Sequence, residues 1–354
     1  MSIKRLPAIL FPGQGNQKRA MLENYFKRFP SVVKPILEEL DESLKQNFSK
    51  LLIKSSDADI FLPDIDLTSN AQPAILTTSY TIIQILKSQS SNKQDFFSSK
   101  FSYALGHSLG EFSSASAVGI LDFSDAVKLV HLRGKAMESS KAQFSKRFGN
   151  VKLGMYVTLL NKISSSDIIK IFDEKYKTGP LNPNELSSYV DIGNINSSSQ
   201  VVFSGPQPAI YTILSELQTH YGIKRPFKTI PLNVSAPFHS PIMLPAQEYM
   251  EALVSELEAS GKIGWPSEIP IISNITKRPF ESKQQIIRSF SHSCTDRVYW
   301  YDSIKYAVNE RGIDKFVSIG PGNIGDLTKR DLPKTVSLVN VTSETLEDFI
   351  ANFN

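Results

Sequence analysis

The sequence predicts an α/β fold with a mostly parallel sheet, and two patterns indicate it. First, the apolar run at residues 6–11 ends in Pro12-Gly13-Gln14-Gly15, as expected of a buried strand that enters a turn. Second, strand and helix patterns alternate along most of the chain, with the next strand predicted at 101–105 and later strands at 269–273 and 315–319. Such alternation is typical of parallel strands connected by helices.

The segment 153–233 shows a different order of elements. Strands are predicted at 154–160, 189–194, 200–204 and 225–232, with helices at 165–177 and 207–220. This βαββαβ order is typical of a small ferredoxin-like sandwich. Because βα alternation occurs on both sides of it, we interpret 153–233 as an inserted subdomain and 1–152 with 234–354 as the larger domain.

Helices of the larger domain are predicted from turn and capping residues. One covers 72–86, a second follows Gly106 and ends near Gly119, and a third runs from 125 to about 138 with Ser124 as its N-cap. The stretches 45–70 and 88–100 are polar and lack sustained periodicity, so we expect surface connections or peripheral helices there.

Composition excludes several classes of protein. The chain has 354 residues, of which 41% are apolar, and this is ample for a buried core. A net charge of +4 without a long basic run argues against a nucleic-acid binder. Cys294 is the one cysteine, so no intrachain disulfide forms, which suits a reducing compartment. No apolar stretch is long enough for a membrane span, and the residues before the first strand are too few for a cleavable targeting signal.

A nucleophile elbow is the first candidate for chemistry. Residues 106–110 read Gly-His-Ser-Leu-Gly, a GxSxG pattern after a predicted strand and before a predicted helix. In that context the turn strains the backbone of Ser108 and exposes its hydroxyl, while the Leu109 amide points to the same place as an oxyanion donor. The alternative is a chance match, expected about 0.1 times in a chain of this composition.

A serine hydroxyl needs a base to become a nucleophile, and the chain offers five histidines. We select His239 because it lies in a proline-flanked, irregular segment where the inserted subdomain returns to the larger domain. Taken alone, a loop histidine is more often a surface residue. The others are interpreted as structural: His107, His131, His220 and His292.

Arg133 belongs to the apolar stripe of the third predicted helix. That stripe is formed, at positions i, i+3, i+4 and i+11, by Ala126, Leu129, Val130 and Met137. A guanidinium on a buried face needs an anion or several acceptors, and arginine can hold a carboxylate through two parallel hydrogen bonds. The periodicity leaves open a structural salt bridge, or a buried stem with the charged group in solvent.

Two glycine turns follow predicted parallel strands, at 13–15 and at 320–322. Ligands of such sheets gather at the carboxyl ends of the strands. We therefore expect both turns to line the same cleft as Ser108, although either one can be a plain tight turn.

Together these pieces resemble the malonyl-CoA:acyl-carrier-protein transacylases and the acyltransferase domains of fatty-acid and polyketide synthases. The resemblance spans nearly the whole chain, and its motifs stand in family order: FPGQGNQ (11–17), AQPA (71–74), GHSLGE (106–111), RGKAM (133–137), GNINSSSQVVFSG (193–205), PFHS (237–240), SNIT (273–276) and GPGN (320–323). It implies an α/β-hydrolase-like large domain with a ferredoxin-like insertion. It also implies transfer of the malonyl group from malonyl-CoA to acyl carrier protein, through a malonyl-serine intermediate, in type II fatty-acid synthesis.

The resemblance carries roles to matching residues. Ser108 is the nucleophile, His239 the base, the backbone amides of Gln14 and Leu109 the oxyanion hole, and Arg133 the group that holds the malonyl carboxylate. Candidate substrate-pocket residues are Phe238, Met137 and Asn196. An imidazole with a usual pKa near 6.5 suits the work of both acid and base. No metal or resident cofactor is expected, because coenzyme A is part of the substrate and phosphopantetheine is carried by the partner.

The chain departs from the family pattern near Trp300. Family members often have a glutamine about seven residues before this tryptophan, and its backbone carbonyl orients the catalytic histidine. Here that count gives Ser293 as the possible orienting residue, and Arg297 stands where proline is usual.

The resemblance leaves location and function partly open. The inserts at 45–70 and 88–100 and the residue usage are similar to those of fungal mitochondrial members, so the mitochondrial matrix is expected, with the cytoplasm as the alternative. A serine hydrolase or thioesterase acting on acyl-CoA is a second possible function. A noncatalytic module that binds carrier proteins is a third.

Overall fold

A computed structural model describes residues 5–53, 63–322 and 324–353 and contains two separate sheets. Residues 54–62 of the predicted surface stretch and Asn323 of the GPGN motif lie outside the described residues. The strands are β1 (Ala8–Phe11), β2 (Tyr103–Gly106), β3 (Leu153–Leu159), β4 (Asp191–Ser197), β5 (Gln200–Pro206), β6 (Lys228–Pro231), β7 (Ile271–Ile272), β8 (Lys315–Ile319) and β9 (Ser337–Val341).

Helices connect and flank these strands. They are α1 (Glu23–Arg28), α2 (Pro30–Leu44), α3 (Ser49–Ile53), α4 (Thr68–Gln89), α5 (Phe96–Lys100), α6 (Gly110–Ala117), α7 (Phe123–Phe148), α8 (Ser165–Tyr176), α9 (Gln207–His220), α10 (Leu244–Ala259), α11 (Lys283–Ser291), α12 (Trp300–Lys305), α13 (Ile324–Lys329) and α14 (Leu346–Phe353). Among the described residues, no helix combines the length and the apolar character that crossing a membrane requires.

The larger sheet is parallel, in the order β7-β2-β1-β8-β9. Every residue of β1 is buried, as expected for a parallel strand covered on both faces. The predicted strand at 315–319 coincides with β8, whereas the strand predicted at 269–273 is reduced to the two residues of β7. Strand β9 was missed because it is a partly exposed edge strand with polar residues, which weakens its apolar signal.

The smaller sheet is antiparallel, in the order β4-β5-β3-β6. With α8 between β3 and β4 and α9 between β5 and β6, the chain follows the predicted βαββαβ order. The two helices contribute Ile168, Phe172 and Ile210 to a core that also contains Phe203 of β5. The α/β class and the small ferredoxin-like unit are therefore confirmed, while the domain boundaries at 153 and 233 stay predictions.

Two helices of the larger domain, α4 and α7, are longer than predicted. Helix α7 begins two residues earlier than Ser124 indicated, after Asp122, and continues ten residues beyond 138. The extension packs through stacked Phe144 and Phe148 against Tyr189, a tertiary contact that capping signals do not report. Helix α4 likewise exceeds the predicted 72–86 at both ends.

Helices α4 and α7 approach closely at Gly134. A Cβ atom on this glycine would lie 2.4 Å from Ser69 Cα and 2.6 Å from Ser69 N. Since no side chain separates the two backbones here, residues beside Gly134 reach across to α4. Arg133 is one of them, and its guanidinium contacts Gln72 of α4.

Substitution Gly134→Ala is expected to destabilise the protein although alanine favours helices by about 1 kcal/mol over glycine. Overpacking between α4 and α7 typically costs about 1–3 kcal/mol, and contact with backbone leaves little room to relax. Urea unfolding followed by circular dichroism measures the change. Gly179→Ala is the matched control because its Cβ would enter open space. A Gly134→Ala variant as stable as the control would contradict the close contact.

Candidate active site

Ser108 lies in a strained turn between β2 and α6. Its φ is +51°, a left-handed value that is uncommon for a residue other than glycine. A Cβ on Gly106 would lie 2.0 Å from Gly110 O, and one on Gly110 would lie 2.2 Å from Phe11 O. Only glycine fits at these two positions, so the predicted geometry of the elbow is confirmed.

His239 lies beside this turn with its side chain buried. Its Nε2 is 2.7 Å from Ser108 Oγ, and its Nδ1 is 2.8 Å from the backbone carbonyl of Asp296. A carbonyl can only accept, so Nδ1 carries the proton and Nε2 accepts the hydrogen bond from Ser108. This is the tautomer in which an imidazole can remove the serine proton.

The orienting carbonyl belongs to Asp296 and not to Ser293, which corrects the expectation from the family spacing. After α11 the chain turns, with Thr295 N and Asp296 N both donating to His292 O. This turn places the Asp296 carbonyl on the His239 ring. Ser293 instead accepts from Arg133, whose Nε lies 2.9 Å from its Oγ and whose Nη2 lies 2.7 Å from its carbonyl.

Arg133 is 2% exposed, as the apolar stripe of α7 predicted. Its third partner is Gln72, whose Oε1 accepts from Nη1 at 2.8 Å. These three acceptors are neutral, and no carboxylate lies within ion-pair distance of Arg133 among the described residues. A guanidinium has five N–H groups, so one on each Nη is left for a ligand.

A hydrogen-bonded chain connects Arg133 to the first glycine turn. Gln72 Nε2 donates to Thr68 Oγ1 at 3.1 Å, and Thr68 Oγ1 donates to Gln14 Oε1 at 2.5 Å. Sequence reasoning missed Thr68 and Gln72 as site residues. The AQPA motif at 71–74 contained the available signal, because it includes Gln72.

The two glycine turns lie together beside the elbow, as expected from parallel strands that end at one edge of the sheet. A Cβ on Gly13 would lie 2.8 Å from His107 O, next to Ser108. A Cβ on Gly320 would lie 2.9 Å from Pro12, in the strand end that leads into the first turn. Gln14 is thereby close to the elbow, and Leu109 follows Ser108 directly at the start of α6. Their service as oxyanion donors stays a prediction.

Sequence reasoning also missed a buried network under the elbow. Asn274 Oδ1 accepts from Ser108 N at 3.2 Å, and Asn274 Nδ2 donates to Gly106 O at 2.7 Å. The Glu111 carboxyl accepts from Asn274 N at 2.8 Å and from Ser289 Oγ. Burial raises the pKa of Glu111, and these hydrogen bonds partly oppose the shift. Asn274, itself held by Glu111, thus fixes the backbone just before the nucleophile and at its own amide.

The pocket beside Ser108 is not formed by the three predicted pocket residues. Its lining includes Phe112, His239, Asn274, Ile275, Ser293 and Arg297. Met137 is fully buried near Gln72, and Phe238 is buried in the main core. Asn196 bonds to His107 Nε2 at 3.1 Å, away from Ser108.

Arg133 itself lies just behind the pocket wall. Ser293 and Phe112 both line the pocket. Arg133 donates a hydrogen bond to Ser293, and its Cζ lies 5.4 Å from the centre of the Phe112 ring. The guanidinium is thus separated from the pocket by the side chains of Ser293 and Phe112.

Electrostatics keep His239 neutral. Burial and the Arg133 charge lower the pKa of His239 from 6.5 to about 3, although the hydrogen bond to Asp296 opposes the shift. The pKa of His239 thus lies well below the usual value of an imidazole. A histidine of low pKa is unprotonated at neutral pH and releases a proton readily once it has taken one, but it is also a weaker base than a free imidazole.

Known proteins similar to this chain are acyltransferases. The family model described as acyl transferase domain matches residues 9–149. A malonyl CoA-acyl carrier protein transacylase of Bacillus subtilis (strain 168) is 31% identical over 341 residues, which cover 96% of this chain and 95% of the relative. The mitochondrial malonyl CoA-acyl carrier protein transacylase of Schizosaccharomyces pombe is 28% identical over 328 residues, covering 90% and 94%.

A solved structure agrees along nearly the whole chain. It is a malonyl-transacylase in complex with a type II PKS acyl-carrier protein, and it matches with a TM-score of 0.76 and 27% identity. The match covers 98% of this chain and 99% of the other. Both sheets therefore belong to one known architecture.

The low pKa of His239 predicts an unusual pH dependence. A fluorophosphonate should label Ser108 as fast at pH values well below 6.5 as it does at neutral pH. The reason is that His239 stays unprotonated down to about pH 3. The unfolded chain binds this proton near pH 6.5, so the contribution of His239 to stability falls as pH drops from about 6.5 towards 3.

The labelling rate is measured wherever circular dichroism shows the protein to be folded. His239→Gln serves as the control without a base. A half-maximal rate near pH 6.5 in the native protein would contradict the shift.

Proposed function

The chain belongs to the malonyl CoA-acyl carrier protein transacylase family, and we propose that Ser108 and His239 perform its reaction. The reaction moves a malonyl group from malonyl-CoA to the phosphopantetheine thiol of acyl carrier protein through a malonyl-serine ester. The hydrogen bond of 2.7 Å between Ser108 Oγ and His239 Nε2 carries the proposal. Donation by Nδ1 to the Asp296 carbonyl supports it, because it fixes the tautomer that can accept the proton.

In the first half reaction, His239 Nε2 takes the proton from Ser108 as Oγ attacks the thioester carbonyl carbon. The carbonyl oxygen becomes negative, and the amides of Gln14 and Leu109 stabilise it by hydrogen bonds. The carbon–sulfur bond then breaks, and His239 gives its proton to the departing sulfur of coenzyme A. Malonyl remains as an ester on Ser108.

The second half reaction repeats these steps with the carrier thiol. His239 takes the thiol proton, the sulfur attacks the ester carbonyl, and the bond to Oγ breaks while His239 returns the proton to Ser108. The imidazolium that forms in each half reaction is buried beside Arg133, which destabilises it and favours rapid release of the proton. A kinetic pattern of the ping-pong type follows from this sequence.

Arg133 is proposed to hold the free carboxylate of malonyl. Ser293 and Gln72 fix the guanidinium through three hydrogen bonds, and the two remaining N–H groups suit a carboxylate that binds with both oxygens. No carboxylate of the described residues pairs directly with Arg133, and Glu111 acts on its charge only from a distance. An anionic acyl group therefore supplies a direct partner for the guanidinium, which a neutral one cannot.

We further propose that the protein needs no resident cofactor. The two half reactions use a serine hydroxyl, an imidazole and backbone amides. Coenzyme A and phosphopantetheine enter as parts of the two substrates.

The mitochondrial matrix is the proposed location. It is supported by the likeness to the Schizosaccharomyces pombe relative, which is named as mitochondrial. Fractionation of the source cells, with detection by an antibody, is expected to recover the protein with mitochondria. Recovery with the cytosol would contradict this location.

Intact-mass spectrometry after brief mixing with malonyl-CoA tests the acyl-enzyme. The native protein should gain one malonyl group, and Ser108→Ala should gain none because it lacks the attacking oxygen. Release of coenzyme A without an adduct would indicate a hydrolase. Neither adduct nor release would overturn malonyl transfer and leave a binding role.

The same measurement with Arg133→Met tests the carboxylate clamp. Removing one partner of a buried charge pair commonly costs about 2–5 kcal/mol, so acylation by malonyl-CoA should slow about 30-fold or more. Acylation by acetyl-CoA should stay equal or improve, because acetyl has no carboxylate. Equal losses with both substrates would show that Arg133 acts on the fold rather than on malonyl.

A further inference from the structure

Arg297 follows the residue whose carbonyl orients His239, and the site chemistry described above does not use it. It also lines the pocket beside Ser108, so its role there needs its own explanation. We propose that Arg297 is a positioning residue: by tying its segment to the smaller sheet, it holds the Asp296 carbonyl against Nδ1 of His239. This inference rests on the proposed function of His239 as the base.

Two carboxylates of the smaller sheet unit grip the Arg297 guanidinium. Nε and Nη2 donate to Asp191 Oδ1 at 3.0 and 2.8 Å, at the start of β4. Nη1 and Nη2 donate to Asp173 of α8 at 2.8 and 2.5 Å. The side chains of Arg297 and Asp191 are 11% and 12% exposed, so water screens their contact little, whereas Asp173 is 42% exposed. Lys177 also pairs with Asp191, which balances the charges of the cluster.

Backbone hydrogen bonds continue this attachment on the next residue. Val298 N donates to Gly193 O at 2.8 Å, and Ile195 N donates to Val298 O at 2.9 Å. The segment thus joins β4 as a short parallel bridge. The same strand contacts the base, because a Cβ on Gly193 would lie 3.1 Å from His239 Cβ.

The Asp296 carbonyl therefore lies one residue before a strong anchor. Its own side chain is held more weakly, since its carboxylate meets Arg288 only at 3.4 Å. Unlike a side chain, a backbone carbonyl cannot rotate independently of the chain. Its position is therefore set by the contacts that fix the neighbouring residues. Loss of the Arg297 contacts would let the carbonyl move relative to His239. A misplacement of about 1 Å near reacting groups can cost roughly 100-fold in rate.

Arg297→Met tests the proposal by removing the charge and all four hydrogen bonds. At saturating malonyl-CoA, malonyl-serine formation should slow about tenfold or more, because the base loses its fixed orientation. The half-saturating concentration should change less than this rate, since Arg133 still holds the malonyl carboxylate although Arg297 lines the pocket. In proton NMR, the downfield Nδ1–H signal of His239, identified by its loss in His239→Gln, should weaken through exchange with water. A merely structural role would leave that signal unchanged.

Matched variants distinguish loss of the contacts between Arg297 and its two carboxylates from general damage to the fold. Arg278→Met removes an exposed ion pair with Glu310 of 2.8 Å and should leave the rate and the signal unchanged. Arg297→Lys should recover part of both, because lysine can hold one carboxylate. Asp173→Asn removes one carboxylate and retains Asp191. If Arg297→Met does not fold, this variant tests the proposal, with an expected loss of rate and signal between those of the native protein and Arg297→Met.

The outcomes distinguish this inference from the proposed function. A native-like rate and Nδ1–H signal in both Arg297→Met and Asp173→Asn would contradict the proposal that Arg297 positions the Asp296 carbonyl. So would a slowed rate with an unchanged signal. If the native protein forms no malonyl-serine, the proposed function fails, and the Nδ1–H signal alone still decides whether Arg297 positions the carbonyl.

Discussion

Direct contact between backbones at Gly106 and Gly110 is the constraint on which the site depends. Gly110 packs on the carbonyl of Phe11 at a distance that admits no side chain. This contact draws β1, β2 and α6 together at the carboxyl edge of the parallel sheet. It also turns Ser108 outward in a left-handed conformation, whose strain the surrounding packing must offset. The network of Glu111 and Asn274 holds that turn from below.

Burial then sets the charge state of the groups around the nucleophile. It keeps His239 neutral and raises the pKa of Glu111, because a dry environment penalises the charged form of each. Arg133 is the exception, since a guanidinium stays protonated in proteins. A lasting positive charge with neutral partners favours an anionic acyl group. The same charge opposes protonation of the base, so selection of the substrate and the readiness of His239 share one cause.

Much of the site was predictable because its signals are local. Strand, glycine turn and helix around Ser108 follow one another within a few residues, and the spacing of apolar residues placed Arg133 on the buried face of α7. His239 was found through its irregular, proline-flanked segment. Asp296 was missed because it acts through a backbone carbonyl, which every residue has. Asn274 and Glu111 were missed as partners because their contact joins residues far apart in the chain.

The sequence by itself determined the βαββαβ order of the smaller unit, the nucleophile elbow and the arginine on a buried stripe, since each depends on local patterns of residues. Only the tertiary structure decided which carbonyl orients His239, because the two residues are 57 positions apart and meet through the turn after α11. It also decided the pKa of that histidine. Burial and the approach of Arg133 are properties of packing, and no local pattern contains them.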